Sequence, residues 1–257
     1  MNRDRIFAFR HKVLVHLLSG VLPYYVVNEF PKCGGSWLTE MLADALDLPF
    51  RRNQPVRVEK ALVHGHFLRP GLLRNVVVLW RDPRDVLVSL YHHSFFISEY
   101  GDQLFGNGKL VAGMRQALPF ADYDDVAANL PAFIAYIHEN PVVPRFTWPD
   151  FARQWAERDV VHTSYEALRA DTPEELARIV GALASVFLDN ARATMIAERH
   201  SFARAKAKSE QNLAPGARPF VRSGSVGGWR AQFGPEAEAL LDRHGYRPLM
   251  ERLGYTL

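Results

Sequence analysis

The stretch FPKCGGSWL, Phe30 to Leu38, decides the fold because it joins two segments of opposite character. The run Tyr24–Phe30 is rich in β-forming residues without a clean alternation, which is typical of a strand buried on both faces of a parallel sheet. After the glycines, apolar residues recur at helical spacing from Trp37 to Leu46. The sequence therefore predicts a strand, a glycine loop and a helix in succession.

The loop at this junction has the composition of a cradle for an anionic group. Amides that follow a parallel strand lie at the positive end of the next helix dipole, which favours phosphate or sulfate. Gly34 and Gly35 permit close backbone approach, Lys32 supplies a charge, and Ser36 supplies a hydroxyl. The triphosphate loop G-x-x-x-x-G-K-[ST] is absent because Lys32 precedes the glycines, which disfavours an ATP or GTP enzyme. Taken alone, the loop is equally compatible with a purely structural turn.

Strand and helix patterns alternate along the rest of the chain. Further strands are predicted at Ala61–His64, Val76–Trp80 and Asp159–Thr163. Helices are predicted at Pro83–Phe96, at 124–138, after Thr147, after Thr172, and from Asn190 to Leu253 around a glycine-rich loop at 221–228. This order predicts one α/β domain over residues 1–257, with three layers around a central parallel sheet. The less regular residues 98–146 are interpreted as a substrate-binding insertion or lid, with the segment EYGDQLFGNGKL read as a loop.

Composition sets broad limits on function. A chain of 257 residues that is 48% apolar can bury a full core. Its 31 basic and 28 acidic residues leave a net charge of +3, which is too mild to predict nucleic-acid binding and suits a small anionic ligand. The single cysteine, Cys33, excludes an internal disulfide and a cysteine-based zinc cluster and favours a cytoplasmic location.

The first 27 residues resemble a signal peptide only faintly, because Arg10, His11, Lys12 and His16 interrupt the apolar run. No other apolar run approaches the roughly 20 residues of a membrane span. An amphipathic N-terminal helix could pack on the core or make a peripheral contact with a membrane surface.

Three ordered motifs resemble the signatures of the sulfotransferases that use 3′-phosphoadenosine 5′-phosphosulfate (PAPS). FPKCGGSW is similar to Tyr-Pro-Lys-Ser-Gly-Thr-Thr-Trp. RDPRDVLVS, Arg81 to Ser89, follows a predicted strand and is similar to Arg-Asn-Pro-Lys-Asp-Val-x-Val-Ser. RSGSVGGW, Arg222 to Trp229, is similar to Arg-Lys-Gly-x-x-Gly-x-Trp, and weaker likenesses lie in HTSYEAL and RHSFARAKA. The resemblance extends from about Tyr24 to Leu253 and implies a fold like that of the P-loop nucleotide kinases.

The resemblance also implies a reaction, the in-line transfer of the sulfuryl group from PAPS to a hydroxyl or amine of an acceptor, which leaves 3′,5′-diphosphoadenosine (PAP). It assigns Lys32 to neutralising charge on the leaving phosphate, Trp37 and Phe202 to adenine stacking, and Arg81 and Ser89 to the 3′-phosphate. The full set that it assigns to nucleotide binding is Lys32, Cys33, Gly34, Gly35, Ser36, Trp37, Arg81, Ser89, Tyr165, Ser201, Phe202, Arg222, Ser223 and Gly224. No metal is expected in the reaction.

A histidine is expected to act as the base. The cytosolic branch of the family has Lys-Thr-His where this chain has His64-Gly65-His66, so His66 is the predicted catalytic base. Rival candidates are His92, His93 and Glu99. Compared with the family pattern, His64 and Ser223 replace lysines and Gly35 replaces a hydroxyl residue, so that each change removes a donor or a charge.

Two other functions stay open from the sequence, a kinase-like phosphotransferase and a non-catalytic nucleotide-fold binding module. The acceptor is predicted only as a small molecule, lipid or carbohydrate, and the oligomeric state is not predicted. Aromatic residues between 95 and 148 are read either as an apolar mouth for the acceptor or as core. They are Phe95, Phe96, Phe120, Tyr123, Phe133, Tyr136, Phe146 and Trp148.

Overall fold

The computed structural model describes residues 13, 15–17, 19, 24–51, 57, 59–98, 107–211, 213 and 216–256. By its internal contacts the chain divides into two compact units, each built from two separate segments. The sheet unit comprises Met1–Arg81 and Glu157–His200, and the helical unit comprises Asp82–Ala156 and Ser201–Leu257.

The sheet unit contains four parallel strands in the order β2-β1-β3-β4. They are β1 Tyr24–Glu29, β2 Ala61–Gly65, β3 Val76–Trp80 and β4 Val161–Ser164. All of β3 and nearly all of β1 are buried, because both strands are central in the sheet. The predicted strands and the parallel sheet are confirmed, with strand ends shifted by at most two residues.

The helices begin and end as follows in chain order. They are α1 Gly35–Leu46, α2 Pro83–Phe95, α3 Gly108–Ala117, α4 Val126–Glu139, α5 Trp148–Trp155, α6 Tyr165–Ala170, α7 Thr172–Ala184, α8 Asn190–Arg199, α9 Phe202–Gln211, α10 Pro235–Arg243 and α11 Arg247–Arg252, with a 3₁₀ turn at Gly228–Ala231.

Local capping signals explain where several helices start. The Asp82 side chain accepts a hydrogen bond from the Arg84 amide at 2.9 Å, and Pro83 occupies the first turn of α2, as predicted. Thr147 and Asp150 form a reciprocal capping box at the start of α5. These helix starts are therefore set by residues adjacent in the sequence.

Several aromatic residues of the helical unit form its core, and others are partly exposed. Tyr91 and Phe95 of α2 and Phe133 of α4 are fully buried, and the Tyr91 and Phe95 ring centroids lie 4.7 Å apart. Phe96 and Trp148 are also buried, so the core interpretation is correct for Phe95, Phe96, Phe133 and Trp148. An apolar acceptor mouth stays a prediction for the partly exposed Phe120, Tyr123, Tyr136 and Phe146.

Residues 107–146 are more regular than the sequence indicated. The loop interpretation of Gly108–Leu110 was wrong, because these residues form the first turn of α3. Val111 and Met114, one turn apart, are buried and give α3 its apolar face. The role of 98–146 as an insertion or lid stays a prediction, and residues 99–106 lie outside the described residues.

Candidate functional site: an anion-binding loop and its histidine neighbours

The predicted anion-binding loop, residues 31–37, lies at the point of the sheet where successive strands begin to be added on the opposite side. From β1 the chain proceeds to β2 on one side, whereas from β3 it proceeds to β4 on the other. In open parallel sheets, ligands bind outside the carboxyl ends of the strands at such a switch point. The loop follows β1 and Arg81 follows β3, and Arg81 Nη1 donates a hydrogen bond to the Lys32 carbonyl at 3.1 Å. The two predicted phosphate anchors are therefore in direct contact.

The backbone of the loop takes left-handed conformations that open it towards a ligand. Lys32 has φ 80° and Gly34 has φ 106°. The φ of Gly34 strongly favours glycine, and a Cβ atom there would also lie in tight contact with Tyr165, 3.0 Å from Cδ2. Gly34 is also the N-cap of α1 and has no side chain to cap the first amides. The first turn of α1 thus has the geometry that binds anions in proteins.

An aromatic and cationic cluster adjoins the loop. The Arg81 guanidinium carbon lies 4.3 Å from the centroid of the Tyr165 ring, and Trp37 meets the same ring edge-on at 5.8 Å. Trp37 Nε1 donates to the carbonyl of His200 at 2.7 Å, which fixes the orientation of the partly exposed indole. The structure therefore brings Lys32, Trp37, Arg81 and Tyr165 together within the sheet unit.

A buried carboxylate that sequence reasoning missed lies beneath the loop. Glu29 Oε2 accepts a hydrogen bond from the Gly35 amide at 2.5 Å, and Oε1 lies 3.0 Å from His64 Nε2. Burial by itself would raise the pKa of Glu29, but the hydrogen bond from His64, the charges of His64 and His66 and the Gly35 amide together lower this pKa below its usual value. Glu29 is therefore ionised at neutral pH, and His64 donates through Nε2–H because a carboxylate only accepts.

The proposed base, His66, is held by the main-chain carbonyl of Glu29. His66 Nδ1 lies 3.0 Å from the Glu29 carbonyl, which can only accept, so Nδ1 carries the proton and Nε2 is the basic nitrogen. The Asn28 side chain bonds the amide and carbonyl of Phe67 at 2.7 and 3.1 Å, which fixes the chain directly after His66.

Desolvation by the surrounding protein, followed by the charge of His64, lowers the pKa of His66 to about 4. Because the ring keeps an exposed face, solvent weakens this desolvation. Whether the lowering of the His66 pKa is full or partial, the imidazole is neutral at pH 7.

Glu29, His64 and His66 also satisfy a spatial requirement for a metal site. One ligand atom from each of them lies within 4.8 Å of the other two. Both carboxylate oxygens of Glu29 are, however, already engaged by Gly35 and His64. The prediction that no metal takes part stays a prediction.

Cys33 lies in the loop without reactive character. Its side chain is 1% exposed, and burial, reinforced by the charge of Glu29, raises the pKa of the Cys33 thiol well above its usual value. The thiol therefore stays protonated at neutral pH.

The helical unit brings together a second group of predicted residues. Gly224 has φ 58°, and a Cβ atom there would lie 2.2 Å from the Phe202 ring. The glycine-rich loop at 221–228 therefore packs directly on this aromatic residue. Arg222 and Ser223 are exposed in the same loop, and Ser201 directly precedes α9.

Asp85 connects the second and third sequence motifs. Its carboxylate is buried and accepts hydrogen bonds from the amides of Gly227 and Trp229 at 2.7 and 2.9 Å. Ser89, one helical turn further along α2, lies on the same face as Asp85. No local signal in the sequence indicates the partners of Asp85 in the glycine-rich loop.

The rival base candidates have other surroundings. His92 and His93 lie in the last turn of α2 in the helical unit, and the His93 carbonyl accepts a bond from Asn107 at 2.7 Å. Glu99 lies outside the described residues. The signal that would have revealed Glu29 is an acidic residue at the end of a strand whose first four residues, Tyr24–Val27, are apolar.

The fold defines a class, the α/β proteins that have a central parallel sheet and a P-loop-like fold. The chain belongs to the sulfotransferase family, because the family model described as the sulfotransferase domain matches residues 63–254. The match begins within β2, so the loop after β1 lies outside it. The resemblance read from the sequence motifs is confirmed.

Solved structures agree with this assignment of the fold. The chain is similar to the mouse sulfotransferase SULT7A1 complexed with PAP, with a TM-score of 0.65 and 17% identity over 97% of this chain and 90% of that one. It is also similar to retinol dehydratase in complex with androsterone and inactive cofactor PAP, with a TM-score of 0.63 and 18% identity over 92% of this chain and 83% of that one. No curated protein matches the sequence significantly. The predicted fold class, a single α/β domain with a central parallel sheet, is confirmed.

Within the part of the chain that the structure describes, every helix is too short or too polar to cross a bilayer.

Proposed function

We propose that this protein transfers a sulfuryl group from PAPS to a hydroxyl or amine of a small-molecule, lipid or carbohydrate acceptor. The observation that carries the proposal is the contact between Arg81 and the Lys32 loop at the switch point of the sheet. The presence of PAP in the mouse sulfotransferase and retinol dehydratase structures supports PAPS as the donor.

The residues of the sheet unit have the chemistry that binding of the two phosphate groups of PAPS requires. Lys32 and the first amides of α1 stabilise negative charge on the phosphate as it leaves, and Arg81 supplies a planar set of donors for phosphate. Trp37 and Tyr165 offer aromatic faces to the nucleotide. Ser89, Ser201, Phe202, Arg222, Ser223 and Gly224 of the helical unit are assigned to the nucleotide by the family resemblance.

His66 completes the reaction as general base. Its Nε2 accepts the proton of the acceptor hydroxyl while the acceptor oxygen forms a bond to sulfur and the bond from sulfur to the phosphate oxygen breaks. The electron pair of that broken bond leaves with PAP. A sterol is a reasonable first acceptor to assay, because the retinol dehydratase structure contains androsterone.

Thermal shift measurements with PAP, ADP and ATP test the proposal. We expect PAP alone to raise the unfolding temperature, since a ligand at a hundredfold excess over its dissociation constant adds about 2.7 kcal/mol to the unfolding free energy. Arg81→Ala should lose this response, whereas Arg243→Ala, which removes an exposed arginine at the end of α10, should keep it. If Arg81→Ala does not fold, the variant Arg222→Ala, which removes an exposed arginine, is tested in its place.

Two outcomes would favour the other candidate functions. Equal stabilisation by ATP and PAP would favour a phosphotransferase. Binding of PAP without sulfuryl transfer to any acceptor in a panel of sterols, phenols, glycolipids and sugars would favour a non-catalytic binding module.

A further inference from the structure

Gly35 and His64, two residues that depart from the family pattern, lie close together in the structure. A Cβ atom built on Gly35 would lie 2.5 Å from Glu29 Cδ and 2.5 Å from His64 Nε2, closer than a real Cβ atom approaches any neighbour. The hydroxyl side chain of the family pattern therefore does not fit at position 35 while Glu29 and His64 are paired. The glycine and the histidine are linked through the carboxylate between them.

The charge of this carboxylate needs a partner. Glu29 is ionised, and its side chain is 4% exposed. It bonds the Gly35 amide in the loop to which the proposed function assigns an anionic donor. An unpaired buried carboxylate here would be costly in itself and would repel the donor. His64, 15% exposed and 3.0 Å away, is the group placed to offset it.

We propose that the hydrogen-bonded pair of His64 and Glu29 positions the anion-binding loop in place of the donors missing at positions 35 and 64. Glu29 is thus a positioning residue. Its carboxylate holds the Gly35 amide, and its main-chain carbonyl holds His66 with Nε2 unprotonated. This inference rests on the proposed function, because it assigns the loop a sulfated or phosphorylated ligand.

A double-mutant cycle on His64→Ala and Glu29→Gln tests the pair, with the dissociation constant of PAP measured by calorimetry. His64→Ala leaves the carboxylate unpaired, and we expect PAP to bind about tenfold more weakly or worse. Adding Glu29→Gln removes the repelling charge, so the double variant should recover to within about threefold of the wild type. Recovery after a second substitution is a result that two independent contacts would not give.

Adenosine 3′-monophosphate provides the matched ligand control, because it lacks the 5′-phosphate that would approach the pair. Its affinity should change by less than about twofold across the cycle, which separates an electrostatic effect at the loop from general unfolding. If His64→Ala does not fold, His64→Phe removes the donor to Glu29 while keeping a ring, and should weaken PAP binding in the same direction. Arg243→Ala serves as the unaffected variant.

The possible results separate this inference from the proposed function. A wild-type protein that does not bind PAP would overturn both. Normal PAP binding combined with an unchanged His64→Ala affinity, or a double variant no better than His64→Ala, would overturn only the role proposed for the His64–Glu29 pair. Loss of wild-type PAP binding in EDTA with recovery in Zn²⁺ would also overturn it, because the three side chains would then be metal ligands.

Discussion

At the scale of single residues, the proposed base His66 is oriented by one main-chain hydrogen bond. The carbonyl of Glu29 fixes the proton on Nδ1, so Nε2 is the nitrogen that can accept another. The same surroundings lower the pKa of His66, which keeps the ring neutral at pH 7 but makes it a weaker base than a solvated histidine.

This arrangement predicts both a loss of turnover and an unusual acid limit. His66→Ala should reduce turnover by a factor of about 10² to 10⁴ while leaving stabilisation by PAP intact. A base works only when deprotonated, so its contribution should be lost as pH falls through the lowered pKa of His66, between about 4 and 6.5, and not at the ordinary value of 6.5. The check is kcat/KM from pH 5 to 7.5, with Glu29, Lys32 and His64 as the neighbouring charged groups. A fall in activity centred near pH 6.5 would contradict the prediction.

His200 gives a pH-dependent contribution to stability. Glu40 and Asp44 raise the pKa of His200 above its usual value, and Asp44 is the closer of the two, at 2.7 Å against 3.8 Å. A raised pKa in the folded state stabilises the protein below the unfolded pKa of 6.5, and this stabilisation is lost as pH rises through the folded value.

The difference in unfolding free energy between the wild type and His200→Gln should therefore be larger at pH 5.5 than at pH 8.5. Urea unfolding at the two pH values measures it. The indole bond of Trp37 uses the main-chain carbonyl of His200 and is retained in the variant. A difference that does not change with pH would argue against a charged His200.

At the scale of elements, Asp85 joins the start of α2 to the glycine-rich loop that ends in Trp229. Two amides of that loop donate to its carboxylate, and Arg84 stacks on the Trp229 ring with its guanidinium carbon 3.7 Å from the centroid. The helix of the second motif thereby holds the loop of the third. Ser89 and Arg222 are thus carried by elements that Asp85 connects.

Asp85→Ala should loosen this loop and weaken PAP binding. The loss of acceptors for the Gly227 and Trp229 amides should cost about 1–3 kcal/mol in unfolding free energy. We expect the PAP dissociation constant to rise by about tenfold, a loss near 1.4 kcal/mol, because Arg222 and Gly224 belong to the same loop. Denaturant unfolding and calorimetry measure the two effects, and the exposed Asp159→Ala should change neither. Unchanged PAP affinity would show that the loop does not depend on Asp85.

The elements that the sequence predicted well are those with local signals. β1 and β3 are recognisable as apolar runs, and α2 and α5 begin at caps formed by Asp82 and by Thr147 with Asp150. The contacts that it missed join distant residues. Glu29 and His64 are 35 positions apart, and Asp85 and Gly227 are 142 apart. Such pairings depend on the sheet register and on loop packing, which no local pattern encodes.

At the scale of the whole molecule, stability should be distributed unevenly. The central strands β1 and β3 are almost wholly buried, whereas α9 has Ser209 as its buried residue. Local opening is least costly where few side chains are buried. The amides of β1 and β3 should therefore be protected from hydrogen exchange much more strongly than those of α9.

Hydrogen exchange followed by mass spectrometry checks this distribution. Amides of β1 and β3 should exchange most slowly, and those of α9 should be among the fastest of the helices that the structure describes. PAP should slow exchange in α9, because the proposed adenine contact, Phe202, begins this helix. Protection of α9 equal to that of β3 without ligand would contradict the prediction, and unchanged α9 exchange with PAP would remove Phe202 from the nucleotide site.

The crowding at Gly35 constrains how this sequence could evolve. A threonine introduced there would approach the ends of both Glu29 and His64, so these side chains would have to turn away from the loop or be replaced to make room. A lineage moving towards the common family motif would therefore need coordinated change at more than one of positions 29, 35 and 64.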